Sequence, residues 1–423
     1  MDGDNLALDR ARDLAIDAGR SESLFQHRDF MKLWTGETIS QFGSVVGGVS
    51  ISFLAVIALH ATAAQMGALT VWRTVPALLF SPFAGVWVDR LRRRPLMIAA
   101  DVANMVLLGS IPAAAAFGRL RIEQVYVVVF LTSLADILFG VSYHAYLPTL
   151  VGRERIARAN SILTATEAAA ETGGFGIAGW LVQWLTAPIA ILVDSISYVF
   201  SIAFLLFIGT AEEPPPPRAD SRIQHEIRDG ARAIIEDGRL LALASVATIN
   251  AIAQGIFGTV YALFFINELG FAPGPLGVIY ATGGAASFFG AALSVRAAER
   301  LGPKDAMTLG LLGWGVGYAL VSFAHGSGAV SIALLVAQQL IGDFWGTIYS
   351  VTHLTLVQQV APQEKLGRVL AGIRFLRLCA ILAGAGLGAL LGAAIGLRYV
   401  IALGANLVIS AGVLIFSARI EAD

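Results

Sequence analysis

Seven ionisable residues stand well inside long apolar stretches of the sequence, more than a turn from their ends: Arg73, Asp136, Glu167, Glu171, Asp343, Arg374 and Arg377. If those stretches cross a bilayer, each charge costs roughly 2.5 to 3.5 kcal/mol at the centre, so each marks a cavity or a partner. Glu167 and Glu171 are four apart, and ionising both sets like charges on one helical face. A carboxyl group there, or at Asp136, can bind and release a proton. The competing reading pairs the carboxylates with Arg73, Arg374 or Arg377 and only holds helices together.

Other polar residues suggest less. Glu37 and Asp101 fall about a turn inside their stretches, where they could reach lipid headgroups, and read as structural. Asp194 is ambiguous. The histidines near or within apolar stretches, His60, His144, His325 and His353, show no metal-ligand spacing, so no metal is expected. No phosphate-binding Gly-Lys-Ser/Thr loop and no nucleophile grouping point to an enzyme, and no cofactor or nucleic-acid partner is implied. The single cysteine, Cys379, excludes an intramolecular disulfide.

The elements that must position these groups are membrane helices. Of 423 residues, 56% are hydrophobic and 14% charged, against about 25% charged in soluble domains. Apolar stretches of bilayer-crossing length predict spans at 34–59, 65–88, 96–117, 123–147, 161–185 and 188–209, then 240–266, 274–295, 305–324, 329–352, 366–395 and 397–417. Most of the 29 Lys and Arg residues fall in the N-terminal tail and even-numbered loops. Arg119, Arg121 and Arg398 lie in the others, which predicts both termini on the cytoplasmic side. The polar start, with Arg10, Arg12, Arg20 and Arg28, is unlike a cleaved signal peptide.

The expected organisation is a tail at 1–33, a six-helix half at 34–210, a linker at 211–239, a second half at 240–418 and a tail at 419–423. The linker opens with Pro214 to Pro217, and Ile223, Ile227, Ala231 and Ile234 recur at helical spacing. That pattern fits an amphipathic helix on the membrane surface or a solvated linker helix. The chain matches itself at an offset of 210 residues in three places. Asp89-Arg90-Leu91 with Arg94 aligns with Glu299-Arg300-Leu301 with Lys304. Glu154-Arg155-Ile156 with Arg158 aligns with Glu364-Lys365-Leu366 with Arg368. Gly174, Gly176 and Ala178 align with Gly384, Gly386 and Gly388. A shared offset predicts an all-α membrane protein of twelve transmembrane helices in two pseudo-symmetric six-helix bundles, with a cavity between them.

Small residues carry a further expectation. Gly384, Gly388, Gly392 and Gly396 repeat every four residues and present a smooth face for helix packing, or for sliding between halves. Trp72, Phe139, Phe257, Phe264, Trp314 and Trp345 are candidates to line an apolar cavity, though most such residues pack or face lipid.

The run Gly85-Val86-Trp87-Val88-Asp89-Arg90-Leu91-Arg92-Arg93-Arg94 resembles the signature loop of the major facilitator superfamily. Arg92 stands where many members have a second glycine, a change similar to the macrolide-efflux and enterobactin-exporter branch. Phe30 to Ser40, Leu147 to Val151 and Ala159-Asn160 resemble that branch too, so the resemblance covers essentially the whole chain. It implies that Gly85, Asp89, Arg90 and Arg93 form a gating loop, with Asp89 contacting the eleventh helix; an anion is also favoured at a facing helix N-terminus. Arg92 and Arg94 follow from the inside-positive charge pattern alone. Two departures touch coupling. Asp136, by its spacing to Gly140, falls where many proton antiporters carry arginine, and Phe175 stands near the proline of a similar glycine-rich motif.

The resulting expectation is a proton-coupled secondary exporter of small amphipathic compounds such as drugs, macrolides or siderophores. Its setting is a bacterial inner membrane, as a multi-pass monomer in contact with lipid. The alternatives are a lipid or lysophospholipid flippase, and a transport-inactive receptor or scaffold.

Overall fold

The computed structural model describes residues 24–210, 212 and 223–417, and those residues are almost entirely helical. The expected tails before residue 24 and after 417, and the proline run at 214–217, lie outside the described residues. Twelve long helices and one short one follow in order: α1 (Arg28–Ala58), α2 (Ala63–Arg90), α3 (Arg93–Ala116), α4 (Ile122–Val151), α5 (Ile156–Leu185), α6 (Ala187–Phe207), the short α7 (Ile223–Glu236), α8 (Gly238–Glu268), α9 (Pro273–Leu301), α10 (Pro303–Val321), α11 (Ala329–Val360), α12 (Leu366–Ile395) and α13 (Leu397–Ser417). Among the described residues, nine of the long helices are long and apolar enough to cross a membrane. The other three are α2, which carries Arg73, α5, which carries Glu167 and Glu171, and α10, which opens on Lys304 and Asp305 and is rich in glycine.

Local chemistry sets the ends. Thr62 and Gln65 form a reciprocal capping box at the start of α2. Asp237 Oδ1 accepts the backbone N–H of Arg239 at 2.8 Å to open α8. Pro273 and Pro303 occupy the first turns of α9 and α10, where the missing N–H costs nothing. Glu212 accepts the backbone N–H groups of Arg93 at 2.7 Å and Arg94 at 3.1 Å, which places an anion on the positive end of α3. Asp29 on α1 accepts from Lys32 and from the backbone of Gly209 and Thr210, joining the start of the first half to its finish.

The 210-residue offset extends to details that the sequence match did not include. The last turn of α1, Leu54–Ala58, widens to π geometry, and so does the last turn of α8, Phe264–Glu268. His60 at φ 51° and Gly270 at φ 71° reverse the chain at equivalent points, as do Thr186 at φ 81° and Gly396 at φ 91°. Gly396 is therefore a turn residue and not the fourth member of the α12 packing face.

Helices run alternately between two ends of the bundle, and the described chain begins and finishes at one of them, here the terminal end. The halves meet at the opposite, far end. Gly179 on α5 and Gly277 on α9 pack backbone to backbone, so that a Cβ on either would lie within 2.9 Å of the other's Cα. Nearby, Gly274 N–H donates to Gln183 Oε1 at 2.9 Å. A Cβ on Gly67 of α2 would sit 2.8 Å from the Ala389 Cβ of α12, and one on Gly392 would sit 3.3 Å from Ala63 Cβ.

Candidate functional site

The N-terminal half is polar at its heart. Asp136 on α4 accepts a 2.8 Å hydrogen bond from Asn104 Nδ2 on α3, and Asp101, one turn along α3, accepts from Ser201 on α6 at 2.7 Å. Asp194 on α6 is 3% exposed and fits against Gly47 of α1, a contact that only a residue without a side chain allows. Its Oδ1 has no hydrogen-bond partner among the described residues. Ser44 and Tyr198 bond at 3.0 Å between α1 and α6, and Gln41 donates to Glu37 at 2.8 Å. Arg73, Asp136 and Asp194 border one polar cavity of about 120 Å3. Glu37, Asp101, Asp136 and Asp194 are linked by mutual electrostatic reach, and Arg73 acts on Asp136.

One expectation needs correction and one open reading gains a place. Asp101 is 1% exposed and bonded to Ser201, so it serves the interior and not a headgroup. Asp194 belongs to the same cluster. Sequence reading placed Asp101 by its distance from a helix end and left Asp194 open; what decides is the facing helix, which the sequence does not show. Asn104 was missed for the same reason, since it is uncharged and unremarkable until Asp136 lies beside it.

The remaining candidates fall in distinct places. Glu167 and Glu171 are exposed on α5, and Asp343 of α11 is within electrostatic reach of Glu171 across the halves. Asp343 rests against Gly283 of α9, where a side chain would collide with it. Arg374 and Arg377 are exposed on α12 and border a cavity of about 430 Å3 in the C-terminal half. No ion pair joins Asp136, Glu167 or Glu171 to an arginine among the described residues. Gly85 and Asp89 are described only as backbone near the end of α2, and Arg90 and Arg93 border the turn to α3.

The glycine face of α12 packs mainly inside its own half. Gly384 meets Ile252 and Gly388 meets Ile256, both on α8, while Gly392 touches Val260 of α8 and Ala63 of α2. Gly174 likewise packs on Val45 of α1, whereas Gly176 approaches Ala281 of α9 at 3.7 Å. The stripe thus lies in close contact with α8, and among Gly384, Gly388 and Gly392 only the last reaches the other half.

In the C-terminal half the equivalent space is filled by rings. Phe257 and Tyr318 lie 4.4 Å apart between centroids, Tyr261 and Phe265 4.8 Å, and Phe257 and Tyr261 5.4 Å. Trp314 extends the array to Tyr349 at 6.1 Å. Of the aromatic candidates, Phe257 and Trp314 join this array, as does Phe264 through Phe265 at 5.9 Å; Trp72 is 43% exposed and stacks edge-on with Phe130 instead.

Two similar six-helix halves, a polar core in one and a wall of rings in the other, and a closed far end define a major facilitator transporter. The chain belongs to the transmembrane secretion effector family, which it matches over residues 21–422; this is a family of transporters and not of enzymes. It is similar to the uncharacterized MFS-type transporter YfiS of Bacillus subtilis, at 24% identity over 86% of this chain and 87% of that one. It is also similar to macrolide efflux protein A of Streptococcus pyogenes, at 22% identity over 58% of this chain and 64% of that one. Its fold is shared with the nucleoside transporter NupG, at a TM-score of 0.75 and 13% identity over 92% of this chain and all of that one. A bacterial homologue of the iron transporter ferroportin, in an inward-facing state, gives 0.74 and 18% over 93% and 99%. The protein is a multi-pass membrane transporter of a small-molecule substrate.

Proposed function

We propose that the chain exports small amphipathic compounds across a bacterial inner membrane and draws on the proton gradient to do so. In this reading the terminal end is cytoplasmic, residues 34–210 and 240–418 form the two moving halves, and the monomer is the working unit. One observation carries it: Glu37, Asp101, Asp136 and Asp194 share the interior of one half with Arg73 as the neighbouring cation. A carboxyl group can take up and give back a proton, which an arginine cannot. The aromatic array opposite supplies apolar contact for the body of a substrate. The resemblance to macrolide efflux protein A supports the direction of transport.

In proteoliposomes with an imposed pH gradient, substrate movement and proton counterflow should rise and fall together, and Asp136→Asn should abolish the counterflow. Equal transport with and without the gradient would reject proton coupling. A lipid flippase is favoured by one feature, an apolar groove of about 550 Å3 lined by Ile235, Leu241, Phe375 and Leu376. Movement of a labelled lysophospholipid, unaccompanied by drug export, would decide for it.

A further inference from the structure

The cavity bordered by Arg374 and Arg377 lies between α8, α10, α11 and α12, on the terminal side of the aromatic array. Its polar wall holds Asn250, Gln254, His353 and the two arginines, and its apolar wall holds Trp314 and Tyr349. Arg374 and Arg377 are three apart on one face of α12, and both are exposed. Neither makes a hydrogen bond or ion pair among the described residues. Asp343, the carboxylate on α11, lies instead within electrostatic reach of Tyr261 and Tyr318 and is itself acted on by Glu171.

Asn250 supplies the independent observation. It is 1% exposed, its Oδ1 accepts from Gln254 Nε2 at 3.0 Å, and its Nδ2 has no partner among the described residues. A buried donor without an acceptor is destabilising until something accepts from it. Here that donor belongs to a side chain lining a cavity that two guanidinium groups also border. His353 Nε2 already meets the Leu243 carbonyl at 3.1 Å. The buried unpaired group on this wall is therefore a donor, and the two charged groups beside it are donors as well.

We infer that this cavity seats the anionic group of the transported compound: a carboxylate or phosphate held by Arg374, Arg377 and Asn250, with an aromatic or apolar body against Trp314 and Tyr349. Guanidinium forks match the geometry of both anions, and rings favour a flat apolar neighbour. The division of charge agrees, since the carboxylates of the N-terminal half repel such a head and leave the C-terminal half as its place. The inference rests on the export reading and narrows its substrate to organic anions.

The test uses the full-length protein purified in detergent, with fluorescein as the anionic probe and rhodamine 6G as its cationic xanthene counterpart, read by fluorescence anisotropy. The wild type should bind fluorescein more tightly than rhodamine 6G. The double variant Arg374→Gln, Arg377→Gln should weaken fluorescein about tenfold or more and leave rhodamine 6G unchanged. Both arginines are exposed, and an unchanged thermal unfolding curve will show that the variant folds. Competition identifies the source of the anion: displacement by benzoate supports a free carboxylate, and displacement by lysophosphatidate supports a lipid headgroup. Displacement by neither, equal fluorescein affinity in variant and wild type, or preference for the cation overturns the inference. Binding is read without a gradient, so its failure leaves proton-driven export standing, and failed export leaves the binding result intact.

Discussion

Asp194 on α6 lies against Gly47 on α1, and at the positions 210 residues on the same contact is made with the large and small partners exchanged: Phe257 on α8 lies against Gly404 on α13. A Cβ on Gly404 would fall 2.6 Å from the Phe257 ring, as one on Gly47 would fall 2.7 Å from the Asp194 carboxyl carbon. The two halves thus keep one helix crossing and fill it with opposite chemistry, a carboxylate in one and a ring in the other.

Gly47→Ala should therefore destabilise the protein by about 1 to 3 kcal/mol, the range for forcing extra volume into a packed interior. Asp194→Gly in the same chain should restore most of that loss, because the colliding group is gone. Thermal unfolding of the single and double variants in detergent measures it. Additive losses would show that Gly47 is crowded by something other than Asp194.

Asp136→Asn keeps the oxygen that accepts from Asn104 Nδ2, so the fold around it should persist. The amide cannot cycle a proton. Proton-driven export should fall about tenfold or more with membrane abundance unchanged, the scale of losing one interaction with a charged group. Wild-type coupling in this variant would remove Asp136 from the mechanism. Glu167→Gln and Glu171→Gln extend the comparison to two exposed carboxylates on α5, which lack the Asn104 contact.

The helices and their pairing were legible in the sequence because both rest on local signals. Apolar length fixes a span, and a duplicated half leaves matching glycines and charges at a constant offset. Asp136 and Arg73 were legible too, since a charge within an apolar run needs a partner or water wherever the run packs. Asp101 was misread, because its neighbour Ser201 is 100 residues away and on a different helix. The role of Asn250 was invisible: an amide in a helix carries no signal until its donor is found buried without an acceptor. The glycine repeat suggested packing first and sliding second, and the facing residues Ile252 and Ile256 on α8 are what a packing face would meet.

Thr186 turns the chain between α5 and α6 at φ 81°, where its repeat partner is Gly396 at φ 91°. A β-branched residue is strained in that region by about 1 to 3 kcal/mol. Glycine relieves the strain but adds freedom to the unfolded chain, at about 0.5 to 1 kcal/mol. Relief is the larger effect, so Thr186→Gly should raise the unfolding temperature. Gly396→Thr should lower it. A fall with Thr186→Gly would mean that the threonine side chain stabilises this turn by more than its backbone strain costs.

Alternating access requires the closed far end to open once per cycle, and Ala63 with Gly392 offers a direct test of that requirement. A Cβ on Gly392 would lie 3.3 Å from the Ala63 Cβ, close to the separation of about 3.5 to 4.5 Å that a disulfide needs. The two residues belong to α2 and α12, one in each half. With Cys379 replaced by alanine, the pair Ala63→Cys and Gly392→Cys should oxidise without a linker and hold the halves together. Export should stop in the oxidised protein and return on reduction, while each single cysteine variant transports in both conditions. Because the bond spans only this end, movement confined to the terminal end would leave the oxidised protein active, and full export after quantitative oxidation would exclude far-end opening.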